Sequence, residues 1–455
     1  MTAKATEILA LNAFSGAEGG IRDPEVAALV ERRKRTFGAA SVLFYRQPLR
    51  IVRAEGANVY AASGRRYLDF YNNVPSVGHC HPVVVEAVSK QLAALNIHAR
   101  YLHETVQDYA EKLLATFPRE LSNITFTCTG SEANDLALRI ARKASGGTGF
   151  IVTEAAYHGN TAAVTEISPS SYKTGAPPPH VRTIAPPDPR RFRGQLGTGF
   201  AQAVRGAIAA LKADGIRPAG LIVDTIFSSD GVFADPPGFL AEAVRSVRKA
   251  GGLFIADEVQ PGFGRTGAGL WGFARHGVVP DIVTMGKPMG NGYPVAGLVT
   301  RPELLAAFAE DFGYFNTFAA SPAAAAAGLA VLNVIEQDHL IENAATVGGR
   351  LRARLLDLGK RYPVISAVRG AGLYLAVEFS RGGDGERPAP DILSALIDGL
   401  YERGILIGAA GRYGNTVKVR PPLCVTAINA DELVDAMAEI LAAMEAAGRL
   451  PGSSV

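Results

Sequence analysis

Cysteine is scarce: Cys80, Cys128 and Cys424 are the only three in 455 residues, odd in number and far apart. Such a set supports neither a disulfide framework nor a zinc ribbon, and it points to a reducing compartment. Metal ligands crowd together in His79, Cys80 and His81. Adjacent side chains of an extended segment point opposite ways, and no further ligands follow nearby, so these read as structural polar residues. No run reaches 18 uninterrupted apolar residues, which excludes a membrane-spanning helix. The opening MTAKATEILALNAFSG lacks the charged start, long apolar run and small-residue cleavage site of an export signal. A soluble cytoplasmic protein is expected. An excess of charge is missing too: 46 Lys and Arg against 43 Asp and Glu leave +3, with no basic footprint for nucleic acid. The short basic runs ERRKR (31–35) and PRRFR (189–193) read as solvated faces. There is no internal repeat and no low-complexity linker.

What is present is apolar content of 48%, enough for a large core, and a length that suggests two or three domains. Two stretches organise the chain: LFIADEVQPGFGRTG (253–267) and DIVTMGKPMGNGYP (281–294). Each opens with a short apolar run bounded by Gly or Pro, the pattern of a buried strand. Asp257 and Glu258 end the first strand, and Lys287 follows the second. A carboxylate and an amine at the carboxyl ends of neighbouring strands can face one cleft, where open α/β sheets hold ligands. Pyridoxal phosphate chemistry uses such a pair, a lysine for the Schiff base and an Asp for the pyridinium nitrogen. Taken alone, an acidic pair after a strand is commonplace.

The spacing predicts a small meander of strands over 51–73, helices after Pro82 and from Glu104, and a strand-to-helix turn in NITFTCTGSEANDLALRIARKAS (123–145). That turn, at Gly130 and Ser131, is either an anion site made of free N–H groups or an ordinary helix cap. GFIVTEAAYHGNT reads as a strand ending in Tyr157, His158 and Gly159. Residues 168–198 read as a long surface loop. A helix over 201–213, a strand ending in Asp224 and a helix in PPGFLAEAVRSVRKAGG continue the alternation, which predicts a mostly parallel sheet covered on both faces. Residues before about Glu31 read as an arm with few local signals. Beyond about Asn343 a compact α+β unit is expected.

In sequence order, VGHCHP, TGSEANDLALRIAR, AYHGN, GGLFIADEVQPGFGRTG, PDIVTMGKPMGNGYPVAGLV, FNTFAASP, RGAGLY and KVRPPLCVT resemble the class III aminotransferases along nearly the whole chain. These are pyridoxal phosphate enzymes of fold type I, so the resemblance implies an α/β fold with a mostly parallel large-domain sheet and a smaller α+β domain. It implies an N-terminal segment (1–75) contributing to the small domain, a large cofactor-binding domain (76–342) and a C-terminal small domain (343–455). It also implies that Lys287 carries the cofactor, Asp257 binds the pyridine nitrogen, and Gln260 lies near the ring hydroxyl. Gly130 and Ser131 would hold the phosphate, Tyr157 would stack on the ring with His158 beside it, and Thr317 would reach the phosphate of a neighbouring subunit in a homodimer. Amine and keto acid substrates follow from the same resemblance.

Three departures from the family pattern bear on substrate. Asp224 stands where many members have Glu, and Ala319-Ala320-Ser321-Pro322 replaces a Gly-Gly-Asn-Pro. Lys418 stands three residues before the Pro421-Pro422 pair, where many members carry a carboxylate-binding arginine, while Arg420 adjoins the prolines. Arg and Lys are not equivalent at a bidentate site. The wording of GKPMGNGYP and NTVKVRPPLCVT is similar to the subgroup of alanine-glyoxylate aminotransferase 2 and the phospho-lyases of phosphorylated amines. Transamination and phosphate elimination therefore both stand, with Lys418, Arg420 and Asp224 as candidate substrate contacts. A non-catalytic regulator built on this fold is disfavoured, since Asp257 and Lys287 are both present.

Overall fold

A computed structural model of the chain describes residues 13–14, 20–38, 42–382 and 385–451. Its centre is a seven-stranded sheet in the order Asn123–Thr127, Ala296–Thr300, Ile282–Met285, Leu253–Asp257, Pro218–Asp224, Gly149–Thr153, Val181–Ile184. The strands run parallel except Ala296–Thr300, which is antiparallel to both neighbours. Every residue of Gly149–Thr153, Leu253–Asp257, Ile282–Met285 and Ala296–Thr300 is buried. That is why these strands are continuous apolar runs rather than alternating ones: both faces are covered. Phe150, Val152 and Ile255 turn one way, toward Leu136, Ile140 and Phe308. Ile151, Phe254 and Ala256 turn the other way, into the core that holds Phe200, Val204, Val244 and Val247.

A second sheet, Ile365–Ala371, Tyr374–Phe379, Thr416–Val419 and Gly408–Ala410, is antiparallel throughout. Val417 and Val419 pack into the apolar core with residues of Leu340–Arg361, Pro390–Glu402 and Ala427–Ala446. Tyr374 and Ala376 face the other way, against Ile226, Val232 and Ala234 of the loop that follows the Pro218–Asp224 strand. Lys418 stands directly across from Ala376, and Arg420 follows the end of its strand. This sheet thereby lays one face over the carboxyl ends of the large sheet. The N-terminal meander, Ile51–Glu55, Asn58–Ala61 and Arg66–Asp69, gains a fourth strand from Ile405–Leu406, parallel to its last member.

Four local expectations need correction. Residues 168–198 are not one loop: Val181–Ile184 adds an edge strand beside Gly149–Thr153, and the next helix begins at Leu196. Four residues between prolines carry too little periodicity, and the neighbouring strand supplies the missing pairing. The helix expected from Pro236 starts at Ala241. Part of the expected N-terminal arm is the helix Pro24–Phe37, capped by Asp23 with Pro24 in its first turn; residues 1–12 and 15–19 lie outside the described residues. Arg190 in PRRFR is not merely solvated, since it pairs with Asp188 at 2.7 Å and with the buried Glu378 at 2.8 Å. His79 lies 2.8 Å from Asp69, a buried carboxylate that also caps the Tyr71 and Asn72 amides. Among the described residues no helix is long and apolar enough to cross a membrane.

Candidate active site

Asp257 ends its strand directly opposite Thr284 of the parallel neighbour, and Lys287 opens the short turn Lys287–Gly290 just beyond. Lys287 takes φ +31°, an uncommon backbone state for a side chain-bearing residue and one found often at functional sites. Gly286 packs closely: a Cβ there would stand 3.2 Å from the Gly130 amide nitrogen, tighter than an ordinary contact. The start of the Gly130–Ser145 helix thus packs against the lysine turn.

That helix is capped by Thr129, whose hydroxyl accepts from Glu132 N while Glu132 reaches back in a capping box. Ser131 is therefore not the cap. Its hydroxyl oxygen accepts the Asn160 amide at 3.2 Å and faces Gly159. Gly159 has φ +138°, and a Cβ on it would fall 2.4 Å from Ser131 Oγ. The N–H groups of the first helical turn have no partner inside the helix, so this cradle favours an anion.

Asp257 is almost wholly buried and tightly held. Its Oδ2 accepts from Asn134 Nδ2 at 3.0 Å and lies 2.7 Å from His158 Nδ1, and its Oδ1 accepts from Val259 N at 3.1 Å. Asn134 is oriented in turn by donating to the His158 carbonyl and accepting from the Thr284 hydroxyl, each at 2.7 Å. His158 thus stands behind Asp257, with Nε2 buried and unpartnered among the described residues. The preceding Tyr157 is half-buried, and burial raises its phenol. Glu258 holds neighbouring backbone in place: it receives the Thr225 hydroxyl and the Gly272 and Phe273 amides, and burial pushes its carboxyl up to about 7.

Near the lysine lies a polar group contributed by the large sheet, the second sheet and the N-terminal segment. Gln260 Oε1 receives Asn73 Nδ2 at 2.8 Å, Arg420 Nη1 at 3.3 Å and the Tyr374 hydroxyl at 3.4 Å. The Arg420 guanidinium also lies 4.6 Å from the centre of the Tyr71 ring. Neither Arg420 nor Lys418 makes an ion pair among the described residues. Burial, with Arg420 nearby, pushes the Lys418 amine down to about 7 and that of Lys287 down to about 8, against the pull of Asp224 and other carboxylates. Asp224 stands beside Asp257 in register, accepts the Ile226 and Ser228 amides at 3.0 Å, and is raised mainly by burial.

Thr317 is exposed and apart from this cluster, lining an open cavity of about 550 Å³ with Cys128, Tyr293 and Phe318. Several members of the site, Asn73, Tyr374, Asn134 and Asp230 among them, escaped sequence reasoning. Asn134 sat unremarked in a helix, although an amide in an otherwise apolar stripe was a usable signal. Asp230, which accepts Thr153 Oγ1 at 2.6 Å and Ala155 N at 3.0 Å and is pushed by burial up to about 7, had no local signal.

A buried carboxylate, an amine of lowered basicity and an anion cradle at the carboxyl ends of parallel strands match the three ends of a pyridoxal phosphate molecule: ring nitrogen, aldehyde and phosphate. The family model for class-III aminotransferases matches residues 43–441. The chain belongs to the class-III aminotransferases. It is similar to the mitochondrial alanine–glyoxylate aminotransferase 2 homolog 2 of Arabidopsis thaliana, 40% identical over 91% of this chain and 87% of that one. It is 36% identical to ethanolamine-phosphate phospho-lyase homolog 1 of Caenorhabditis elegans, over 91% of this chain and 93% of that protein. Among solved structures, a phospholyase from Arthrobacter in complex with phosphoethanolamine is 43% identical, with TM-score 0.87 over 91% of this chain and 99% of that one. As a class-III member the chain is a fold type I, pyridoxal 5′-phosphate-dependent enzyme.

Proposed function

We propose that this enzyme transfers the amino group of an ω-amino acid or a related amine with an anionic tail to a keto acid such as pyruvate, using Lys287 and Asp257. The observation that carries this reading is the pairing of those two residues with an Arg420 guanidinium that no carboxylate neutralises among the described residues. When bound, pyridoxal phosphate supplies the electron sink that lets the carbon bearing the amine lose a proton. The protein supplies everything else. Lys287 would hold the cofactor and, once released, its neutral amine would take the proton from the substrate carbon that bears the nitrogen and give it back on the cofactor side of that nitrogen. Asp257, fixed by Asn134, His158 and Val259, keeps a negative charge at the ring nitrogen. The Gly130–Ser131 amides, the Ser131 hydroxyl and the space left by Gly159 receive the phosphate. Tyr157 and Gln260 would help hold the cofactor's ring. Lys418 and Arg420 receive the anionic end of the substrate, with Asp224 beside them.

A dimer with a shared site suits the exposed Thr317 segment, where Phe312, Tyr314, Phe315 and Phe318 all face solvent in the single chain, as do Tyr101 and Leu102. In this reading Thr317 completes the phosphate site of the partner subunit.

A second reading, elimination of phosphate from a phosphorylated amine, is supported by two buried basic side chains, Lys418 and Arg420, at one strand end and by likeness to the Arthrobacter phospholyase. The two are separated by offering the cofactor-loaded enzyme O-phosphoethanolamine alone, then β-alanine with pyruvate, and assaying free phosphate and alanine. Alanine without phosphate release supports the aminotransferase. Phosphate release with no keto acid present overturns it in favour of the lyase.

The cradle carries its own prediction. Gly159→Ala should weaken pyridoxal phosphate binding by about tenfold or more, because the new methyl must displace Ser131 and φ +138° strains any residue with a Cβ. Titration of cofactor into stripped protein, followed by absorbance, checks this; unchanged affinity would remove Ser131 from the phosphate site.

A further inference from the structure

Arg265 is among the largest fully buried side chains of the protein, and it makes no ion pair among the described residues. Burial lowers its guanidinium from the ordinary arginine value to about 9, and its Nη2 is left without a partner. Keeping a buried cation with no counter-ion is costly, so what this one holds is informative. Its Nη1 donates to two main-chain carbonyls, Pro421 O and Leu373 O, the latter at 3.3 Å. Each carbonyl belongs to a residue next to a site residue: Arg420 precedes Pro421, and Tyr374 follows Leu373. The Leu373 amide returns a hydrogen bond to the Arg265 carbonyl at 3.0 Å. The two loops are in backbone contact, since a Cβ on Gly372, at φ +55°, would lie 2.6 Å from Arg265 O. Gln260, which accepts from both Arg420 and Tyr374, precedes Arg265 on the same loop.

One guanidinium therefore ties together the segments that carry Gln260, Arg420 and Tyr374. We propose that Arg265 is a positioning residue for substrate-anion recognition: by clamping the Pro421 and Leu373 carbonyls it sets where the Arg420 guanidinium and Tyr374 hydroxyl stand. The inference rests on the reading that Arg420 receives the anion. Charge-assisted bonds to carbonyls are shorter and stronger than neutral ones. A lysine offers a compact ammonium without the planar fork and would let the Arg420–Pro421 peptide move.

The test is calorimetric titration of the cofactor-loaded enzyme with propionate and with inorganic phosphate, neither of which has an amine to react. Arg420→Gln should weaken binding of the preferred anion about tenfold or more. Arg265→Lys should do so to a similar extent, and in the Arg420→Gln background it should change affinity by less than about twofold, since both act through one group. If wild type binds neither anion, or Arg420→Gln binds as wild type, the reading of Arg420 fails and takes the inference with it. If Arg420→Gln weakens binding but Arg265→Lys stays within about twofold of wild type, Arg420 stands and the inference is overturned. An undiminished Arg265 effect in the Arg420→Gln background also overturns it. Should Arg265→Lys not fold, Arg265→Gln takes its place under the same criteria. If neither folds, the role is structural and the proposal is withdrawn.

Discussion

Lys287→Ala is expected to lower turnover by at least about 10⁴-fold while leaving the protein folded, because one side chain both holds the cofactor and moves the substrate proton. Far-UV circular dichroism and the elution volume should match wild type, since among the described residues the Lys287 side chain makes no hydrogen bond that ties two elements together. Turnover within tenfold of wild type, roughly the span a peripheral contact would give, would remove Lys287 from the chemistry. The pH profile offers a second check on the same residue. Only the neutral amine accepts a proton, and burial with Arg420 nearby pushes the Lys287 amine down to about 8. The rate of the proton-transfer step should therefore rise with pH through this region and level off above it. Removing the nearby guanidinium by Arg420→Gln should move that limb to higher pH, because a neighbouring positive charge is one of the forces lowering the amine.

Asp257→Asn should reduce turnover by about 10³-fold with cofactor affinity changed far less, since the side chain keeps its size while the negative charge at the ring nitrogen is lost. The three groups around the carboxylate sharpen this expectation. Val259 N and Asn134 Nδ2 both donate to Asp257, so an amide placed there can satisfy them with one oxygen only. The nitrogen of the new amide would face at least one donor, which adds a positional cost to the loss of charge. Single-turnover rates of the amine half-reaction, read from cofactor absorbance, measure the effect directly. An unchanged rate would show that the ring nitrogen lies elsewhere.

Much of this architecture was legible in the chain because burial on both faces of a parallel sheet writes itself as an uninterrupted apolar run. Leu253–Asp257 and Ile282–Met285 were readable as strands for that reason, and they are parallel neighbours in the sheet. The resemblance in GGLFIADEVQPGFGRTG and its companions added the family, which the match over residues 43–441 shows. Short or edge elements were less visible. Val181–Ile184 has four residues and depends on Gly149–Thr153 for its pairing, so its own residues could not announce it. PRRFR looked like a solvated face because its charges are dense, yet Glu378, far along the chain, gives Arg190 a buried partner.

The sequence by itself determined the class of the enzyme, its alternating strands and helices, and the carboxylate and amine at two strand ends, since these depend on local periodicity and ordered motifs. Only the tertiary structure decided that Asn134 and His158 close on Asp257, that Arg420, Tyr374 and Asn73 meet at Gln260, and that Ile405–Leu406 completes the N-terminal meander. The physical reason is the same in each case. Hydrogen bonds between groups far apart in the chain leave no period in either segment, and become favourable only when burial of the surrounding apolar surface has brought those segments together.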